Sequence, residues 1–379
     1  MLGSARPLIG SWLYLTPAKN RKSKVQFIKS LLKRSKKGPD CLERLVAVDR
    51  QGLLQHIRHL VIRPDEFSLV PQSLQPCIPY FHSIGKLRTL VIDGLDVSAF
   101  MPVFDDYLGM FTSSLRSLDI RHIWDSGREL LYFISQFPLL EDLSIRSCWA
   151  HYFFLGPSPP MIRTSPPFRG HLNLSRIMDS QSLCEAMAQL PGGLHFTSLE
   201  LKGCENPEAV LTACQFTLRS VSYTWTTILG EHHSISRKRS VLTVSTVAGR
   251  SLDLKDSSVL EKFEFSVDRA SLSATPAWIY RTLWKINSPA FKEFIISISN
   301  CSSVDDLGAA MDKRDWRSVD AYLCVLAKFQ PSFKVVLRVG FEGDEDTVGK
   351  AIDERFPLAS RKGIVKIERV RRLDVCVAE

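Results

Sequence analysis

The chain has 379 residues, is 45 % apolar and carries a formal net charge of +9. Its length allows a large buried core, and the lack of any apolar run near about 18 residues excludes a membrane-spanning helix. Nine cysteines without a Cys-x-x-Cys pair argue against a disulfide framework or a zinc site, and they indicate buried thiols in a reducing intracellular compartment, cytoplasmic or nuclear.

Residues 1–40 form a basic arm that holds the whole positive excess of the chain, with ten Lys and Arg against the single acid Asp40. We expect its start, up to about residue 22, to be irregular, and residues 24–37 to form a short amphipathic helix. Two basic clusters are typical of a nuclear-import signal or of a patch for an acidic partner. A partly disordered, solvated tail is the favoured interpretation, and a membrane-surface helix ranks third. The clusters are Lys19, Arg21, Lys22 and Lys24, then Lys33, Arg34, Lys36 and Lys37.

After a second short helix predicted at residues 41–49, an apolar phrase recurs along the chain. Its central residues mostly advance by about 22 to 31 positions, which is the range of leucine-rich repeats. A repeat of this kind cannot bury its apolar edge alone, so each copy is predicted to be a strand in a stack with a continuous core. The clear copies are Ile57-xx-Leu60-x-Ile62, Leu87-xx-Leu90-x-Ile92, Leu115-xx-Leu118-x-Ile120, Leu140-xx-Leu143-x-Ile145 and Phe196-xx-Leu199-x-Leu201. The weaker copies are Leu172-x-Leu174, Leu218-xx-Val221-x-Tyr223, Leu260-xx-Phe263-x-Phe265 and Phe291-xx-Phe294-x-Ile296.

The segments between the strands are predicted to be helical returns or loops. Residues 126–136 and 180–189 have helical apolar spacing. Ser147-Cys148 and Gly203-Cys204 end two strands with the small polar or sulfur residue typical of the repeat bend. A proline-rich loop is expected at 156–167, and a polar insertion at 225–249. Beyond residue 300 we predict helices at 304–327 and 348–356 and strands at 332–339 and 364–370.

Together these elements predict an α/β fold. It is an irregular leucine-rich-repeat solenoid, with a curved parallel sheet on its concave side and helices or loops outside. We divide the chain into the basic arm at 1–40, the repeats at 41–300 and a capping α/β segment at 301–379. The cap is expected because terminal repeats must close the open end of such an array.

The sequence lacks the common signatures of chemistry. It has no glycine motif for phosphate or dinucleotide binding, no His-Glu-x-x-His and no Gly-x-Ser-x-Gly. His232-His233 favours an exposed loop over a metal site, because adjacent strand side chains point to opposite faces. Asp105-Asp106 and Asp305-Asp306 lie near predicted helix starts, where acids interact favourably with the helix dipole. We therefore expect no catalytic residue, no metal, no cofactor and no enzymatic activity.

The residues that flank each central leucine are the candidate binding residues. They alternate with buried positions and are predicted to line the concave face. Their mixed charges suit an unidentified protein partner better than a nucleic acid, which requires a stripe of one sign and is expected only at the basic arm. The candidates are His59, Arg63, Thr89, Asp93, Ser117, Asp119, Arg121, Asp142, Arg146, Glu200 and Lys202.

Several phrases, taken in order, resemble a known family. They are PPFRGHLNL at 166–174, LPGGLHFTSL at 190–199, SPAFKEF at 288–294, and FPLA at 356–359 leading into GIV at 363–365. The chain is similar over residues 42–370 to the F-box and leucine-rich-repeat domain-containing proteins of mushroom-forming (basidiomycete) fungi. Nothing in residues 1–50 reads as an F-box. Either the F-box is absent, or the sequence begins inside the family unit.

The resemblance implies a role as well as a fold. In that family the F-box docks a Skp-family adaptor of a cullin ubiquitin ligase, while the repeats present a substrate site. We expect a protein–protein interaction module without catalysis, acting in substrate recognition for such a ligase. One alternative is a stand-alone repeat scaffold without a ligase connection, and another is a nuclear or nucleic-acid-associated protein that acts through the basic arm. No membrane partner is expected.

Overall fold

A computed structural model of the chain describes residues 12–15, 46, 49–50, 52–62, 80–94 except 82 and 85, 111–122, 127–148, 166–225 except 178, 251–340 except 302 and 312, and 345–369. The chain divides into two compact units, residues 1–194 and 195–379. Both units are α/β, with parallel pairing between neighbouring strands and helices in several of the connections. The predicted boundaries near residues 40 and 300 separate arm, repeats and cap, and they remain predictions.

The first unit contains six strands in sequence order, each described pair being parallel. They are β1 Trp12–Leu15, β2 His59–Ile62, β3 Thr89–Asp93, β4 Ser117–Arg121, β5 Asp142–Arg146 and β6 Phe168–Ser175. A 3-10 turn at Leu54–His56 precedes β2. Two helices, α1 Gly127–Ser135 and α2 Ser180–Ala188, follow β4 and β6, which confirms the two predicted helical returns.

The repeated phrase forms the core of the first unit. Parallel pairing aligns its central residues in one row, which are fully buried: Leu60, Leu90, Leu118, Leu143 and Leu172. A second fully buried row runs two residues further along each strand, because the strand period is two: Ile62, Ile92, Ile120, Ile145 and Leu174. The register predicted from the sequence is thereby confirmed over this unit.

Strand β1 was not predicted, since residues 1 to about 22 were expected to be irregular. It pairs in parallel with β2, and the register places Leu13 beside Leu60 and Leu15 beside Ile62. The two spaced leucines match the end of the repeated phrase, but Gly10 stands where the phrase begins with an apolar residue. A copy that lacks its first apolar residue is too short to be told from a chance pattern in the sequence, and only its pairing with β2 identifies it as a strand.

The second unit also contains six strands in sequence order, again with parallel pairing. They are β7 Leu194–Lys202, β8 Ser220–Trp225, β9 Lys262–Asp268, β10 Glu293–Ser299, β11 Lys334–Val339 and β12 Val365–Arg369. Its helices are α3 Glu208–Cys214, α4 Pro276–Trp284, α5 Val304–Ala310, α6 Lys313–Phe329, α7 Glu345–Arg355 and α8 Pro357–Arg361, and a 3-10 helix spans Arg269–Ala274.

Aromatic rings fill much of the second core. The register aligns Leu199 with Val221, Phe263, Phe294 and Val335. The rings of Phe263 and Phe294 stack, with centroids 5.7 Å apart. Trp278 of α4 lies 5.1 Å from the rings of both Tyr223 and Phe265, so it joins the helix to the sheet. The weaker copies of the phrase in this unit are therefore strands, and phenylalanine or tyrosine replaces the usual aliphatic residue at several of their positions.

A left-handed corner follows several strands of both units. The residue after the strand has a positive φ at Gly94, His122, Ser147, Arg176, Gly203 and Asn300. At Ser147 the corner N–H donates to the Ser175 carbonyl of the next strand at 2.8 Å. The next residues after two of these corners, Cys148 and Cys204, are buried. The predicted bend at the repeat's polar or sulfur position is confirmed.

Close approach of two strands explains one glycine in the PPFRGHLNL phrase. Gly170 has φ +84°, and a Cβ there would lie 2.0 Å from the Glu141 carbonyl oxygen. That same carbonyl accepts a hydrogen bond from the His171 N–H at 2.7 Å. Only glycine therefore allows β6 to begin its ladder with β5 at this point.

The C-terminal elements follow the prediction with two differences, one of which is the unpredicted short helix α8. Residues 304–327 were predicted as one helix, but the chain forms two, α5 and α6, because Met311 leaves helical geometry with ψ of 80°. Ser303 caps α5 by accepting the Asp306 N–H, so Asp305-Asp306 lies at a helix start as expected. The predicted helix at 24–37, the proline-rich loop at 156–165 and the insertion from 226 lie outside the described residues, as does most of the helix at 41–49.

Candidate functional site

In each unit, the strand residues that alternate with the buried rows form the other face of the strands. The first strand face is the set of flanking residues on β2 to β6, and its three rows are aligned by the parallel register. The rows are His59, Thr89, Ser117, Asp142 and His171; then Val61, Val91, Asp119, Ser144 and Asn173; then Asp93, Arg121, Arg146 and Ser175. The structure thus brings together eight of the predicted site residues of this unit.

Asp119 is the centre of an ion cluster on the first strand face. The Arg121 Nε donates to its carboxylate at 2.9 Å, and the Arg146 Nε lies 3.5 Å from the other carboxylate oxygen. Arg146 also donates to the Ser144 hydroxyl at 2.7 Å. The hydrogen bond to Asp119 raises the pKa of the Arg121 guanidinium. These contacts join the adjacent strands β4 and β5. The Asp119 side chain is only 13 % exposed, whereas those of Arg121 and Arg146 are 37 % and 35 % exposed.

A second contact on this face joins a strand to a corner. The carboxylate of Asp93, which is buried, lies 2.8 Å from the Nδ1 of His122, the corner residue after β4. At the other end of the strands, burial followed by the charge of Arg88 lowers the pKa of His59 from its ordinary value of 6.5. His59 is therefore neutral near pH 7, and the net charge of the face is set by its acids and arginines.

The second strand face is the corresponding set on β7 to β12, and it is richer in charge. Glu200 and Lys202 lie on β7 as predicted, both half-buried. Sequence reasoning stopped at β7, although the same alternation applied to the weaker copies would have found Lys262, Glu264 and Glu293. The charged residues of β9 to β12 on this face, which we call the charge lattice, are Lys262, Glu264, Asp268, Glu293, Lys334, Arg338, Lys366 and Glu368.

Arg338 links three strands of the second strand face. Its guanidinium donates to Glu264 at 3.0 Å and to Glu368 at 3.1 Å. Glu264 also accepts from Ser297 at 3.2 Å and lies 3.4 Å from the Lys262 ammonium. Hydrogen bonds from Lys366 and Arg338 lower the pKa of Glu368.

A neighbouring pair continues this charge lattice. The Lys334 ammonium lies 2.8 Å from a carboxylate oxygen of Glu293, and this hydrogen bond raises the Lys334 pKa. Glu293 also lies 4.0 Å from Lys262. Acids and bases therefore alternate across the strands, so that the face presents both signs within a few ångströms.

Little in the described residues favours covalent chemistry. Cys148 and Cys204 are buried as predicted, and burial raises the pKa of the Cys214 thiol to about 12, which keeps it un-ionised near neutral pH. In this part of the chain no three His, Cys, Asp or Glu side chains are grouped so as to hold a metal ion. Nor does any helix there have the length and apolar character needed to cross a membrane.

Arg63 and both basic clusters of residues 19–24 and 33–37 lie outside the described residues, as do His232-His233 and Asp105-Asp106. The contribution of the basic arm thus stays a prediction. No protein-family model matches the sequence, and no curated protein matches it.

Proposed function

We propose that the chain is a leucine-rich-repeat solenoid that binds a protein partner on its strand faces, without catalysing a reaction. The observation that carries this proposal is the charge lattice of the second strand face. Parallel register repeats the same side-chain position on successive strands, so a row of charged groups is displayed at the strand spacing of about 4.8 Å. Such a surface recognises a partner by the pattern of its charges.

The sign of these charges favours a protein partner. The lattice holds four bases (Lys262, Lys334, Arg338, Lys366) interspersed with four acids (Glu264, Asp268, Glu293, Glu368) on β9 to β12. A nucleic-acid backbone repels the acids and selects a surface of one sign. A folded protein surface or an extended peptide carries both signs, and complementary pairing with it gives specificity and orientation.

The lattice is also organised before a partner binds. Arg338 and Glu264 are each held by two or more contacts in the free chain. Because these side chains are already ordered, binding loses less conformational entropy than it would with free lysines and glutamates. The cost of the arrangement is modest intrinsic affinity, since the charges already have partners.

The resemblance to F-box and leucine-rich-repeat proteins supports a narrower version of this proposal. In that version the bound protein is a substrate, and a Skp-family adaptor with a cullin ubiquitin ligase acts on it. The lattice would then discriminate among substrates, while the adaptor docks elsewhere on the chain.

Affinity purification with a matched pair of variants tests the proposal. Lys334→Glu with Lys366→Glu reverses two exposed charges of the lattice, whereas Lys255→Glu with Lys350→Glu reverses two exposed charges away from it. We expect quantitative mass spectrometry of tagged chains to show a set of proteins lost with the first pair and retained with the second. Thermal melts of all chains serve as the control for folding.

The two parts of the proposal fail separately. Equal capture of every partner by both double variants contradicts binding through the strand face. Absence of an adaptor and a cullin from the wild-type capture, beside a variant-sensitive partner, contradicts the ligase version and leaves a stand-alone scaffold.

A further inference from the structure

An exposed aromatic band covers part of the helical layer of the second unit. Six large apolar side chains are exposed among the described residues, and three of them, Trp284, Val325 and Phe329, lie on α4 and α6. Trp284 is 62 % exposed and Phe329 is 76 % exposed. Large apolar side chains exposed singly are common, but a contiguous group of them marks an interaction surface.

Ring contacts make this group continuous. The ring of Tyr322 on α6 lies 5.6 Å from that of Tyr280 and 5.7 Å from that of Trp284, both on α4. Tyr322, Val325 and Phe329 follow one another at spacings of three and four residues, which places them along one side of α6. We name these five residues, Tyr280, Trp284, Tyr322, Val325 and Phe329, the aromatic band.

The band is not the core-facing side of its helices. The core side of α6 is formed by Trp316, Val319 and Leu323, which are fully buried. On α4 the corresponding side is formed by Trp278 and Ile279, of which Trp278 packs on the sheet. Tyr280 and Tyr322 are half-buried between the two helices, whereas Trp284, Val325 and Phe329 add exposed apolar area outside the core. Stability of the fold alone does not require these three exposed side chains.

Positive charge runs beside the band. Arg317 and Lys328 are exposed and lie on the adjacent line of α6, and Arg281 is exposed on α4. The Lys362 ammonium donates to the Cys324 carbonyl at 3.0 Å, which adds a further cation to the same side of α6.

Acids do not balance these cations along the described exposed side of α6. The carboxylate of Asp320 is buried and accepts the backbone N–H groups of Leu358 and Ala359, both at 2.9 Å. The one exposed acid described on α6, Asp315, lies in its first turn. From Arg317 to Phe329 the exposed side of α6 thus combines an apolar line with a basic line.

We propose that the aromatic band is a docking site for an acidic amphipathic helix of a protein partner. Apolar residues of that helix, spaced by three and four, pack on Trp284, Val325 and Phe329. Its acidic residues, on the adjacent side, pair with Arg317, Lys328 and Lys362. A helix laid on two packed helices is a common mode of peptide recognition, and Trp and Tyr are frequent energetic centres of such interfaces.

The shape of the band disfavours the two other occupants with matching charge. A single-stranded nucleic acid needs open ring faces for stacking. Here the rings of Tyr280 and Tyr322 meet edge to face at 76°, and that of Trp284 is tilted against both. A lipid surface needs a broad apolar face, whereas the line from Tyr322 to Phe329 is about 10 Å long at 1.5 Å per residue.

The site is independent of the proposed strand-face function, because it is formed by helix residues and shares none with the charge lattice. It is tested with a synthetic, fluorescently labelled amphipathic helix that carries leucines on one face and glutamates beside them. We expect saturable binding to the whole chain by fluorescence anisotropy. Trp284→Ala and Phe329→Ala should each weaken binding at least about tenfold.

Charge and position are tested with two further variants. Lys328→Glu should weaken binding of the acidic peptide and reduce its dependence on salt. Phe216→Ala removes an aromatic ring that is 73 % exposed but lies after α3, outside the band, and should leave the affinity unchanged. All four side chains are exposed, so these variants are expected to fold.

Three results would overturn the proposal. The first is equally tight binding of a peptide in which lysines replace the glutamates. The second is capture of the chain by anionic vesicles without binding of the acidic peptide. The third is dimerisation of the chain that Phe329→Ala abolishes, with no peptide binding, because the band would then be covered by a second copy.

Discussion

The two units share one strand phrase but fill it with different side chains. In the first unit the two buried rows consist of leucine and isoleucine, whereas the second unit places phenylalanine or tyrosine at several of the same positions. The backbone register is nevertheless the same, with central residues aligned strand by strand. Register is therefore determined by the period-two burial pattern, while side-chain size is determined by the connections that cover the sheet.

Helices cover the described sheet of the second unit in several connections. They include the 3-10 helix and α4 between β9 and β10 and the pair α5 and α6 between β10 and β11. Trp278 of α4 reaches the sheet by stacking on Tyr223 and Phe265. Rings bury more area for each residue than aliphatic chains do, and they span the distance to such a helical layer.

The strand faces differ in a second respect. Asp119 of the first unit has a side chain only 13 % exposed, between two arginines. Glu368 of the second unit, also between two bases, is 35 % exposed. The same arrangement therefore contributes to structure in the first unit and remains accessible to partners in the second.

The largest expected effect comes from charges placed in the aligned rows. Leu118→Asp in the first unit and Leu199→Asp in the second each bury an unpaired carboxylate, which costs several kcal/mol. We expect loss of the cooperative melt in both variants. Hydrogen exchange by mass spectrometry then shows whether protection is lost in one unit or in both. A normal melt for either variant would contradict the register.

The next prediction compares the loss of an aromatic side chain from the second core with the loss of an aliphatic one from the first. Phe294→Ala should lower the free energy of unfolding by about 3–5 kcal/mol, because it leaves a cavity and removes the stack with Phe263. Leu143→Ala, at the equivalent position of the first unit, should cost less, near the lower part of the range of about 2–5 kcal/mol. Denaturant unfolding measures both. An equal cost would show that ring stacking adds nothing to the second core.

A smaller difference should separate the two acid positions. Asp119→Ala removes a carboxylate that is only 13 % exposed and that Arg121 and Arg146 share, and it should cost about 1–3 kcal/mol. Glu368→Ala, in a more exposed setting, should cost less than about 1 kcal/mol. The same unfolding experiment measures both values, and the reverse order would contradict the structural role given to the first face.

The smallest effect is a difference in acid sensitivity. The pKa of His59 is lowered from 6.5 by burial, so the unfolded chain binds this proton first and stability falls as the pH drops below about 6.5. The pKa of Glu368 is lowered from 4.5, so its contribution is present above that pH and is lost as the pH falls further. We measure the free energy of unfolding against pH. His59→Gln should abolish the loss of stability just below pH 6.5, and Glu368→Gln should reduce the loss below pH 4.5. An unchanged slope in either variant contradicts the assignment.

Much of the fold follows from the sequence because burial with period two is a local signal. The phrase located β2 to β5 and β7 to β10, and turn residues such as Ser147-Cys148 located bends. The break between α5 and α6 was missed, because apolar spacing continues through Met311 and only its backbone geometry ends the helix. Strand β1 was missed because its phrase is incomplete.

The candidate surfaces were less accessible to prediction. Alternation correctly places Asp93, Asp119 and Arg146 on one face, but sequence does not reveal that they pair with one another or with His122. The aromatic band was missed altogether. Tyr280 and Tyr322 are far apart in sequence, and helical spacing alone does not distinguish a core stripe from an exposed one.

The left-handed corners have a consequence for how copies of this repeat can be recognised. A corner with positive φ tolerates glycine, asparagine and a few polar residues but strains β-branched ones, so each corner restricts one position that the leucine spacing leaves open. On β3 to β7 the corner stands two residues after the second buried strand position. A search template that joins the two buried positions to this corner would be longer and more selective than spacing alone. Such a template would also single out strands like β9, which is followed by a 3-10 helix capped by Asp268 and not by a left-handed corner.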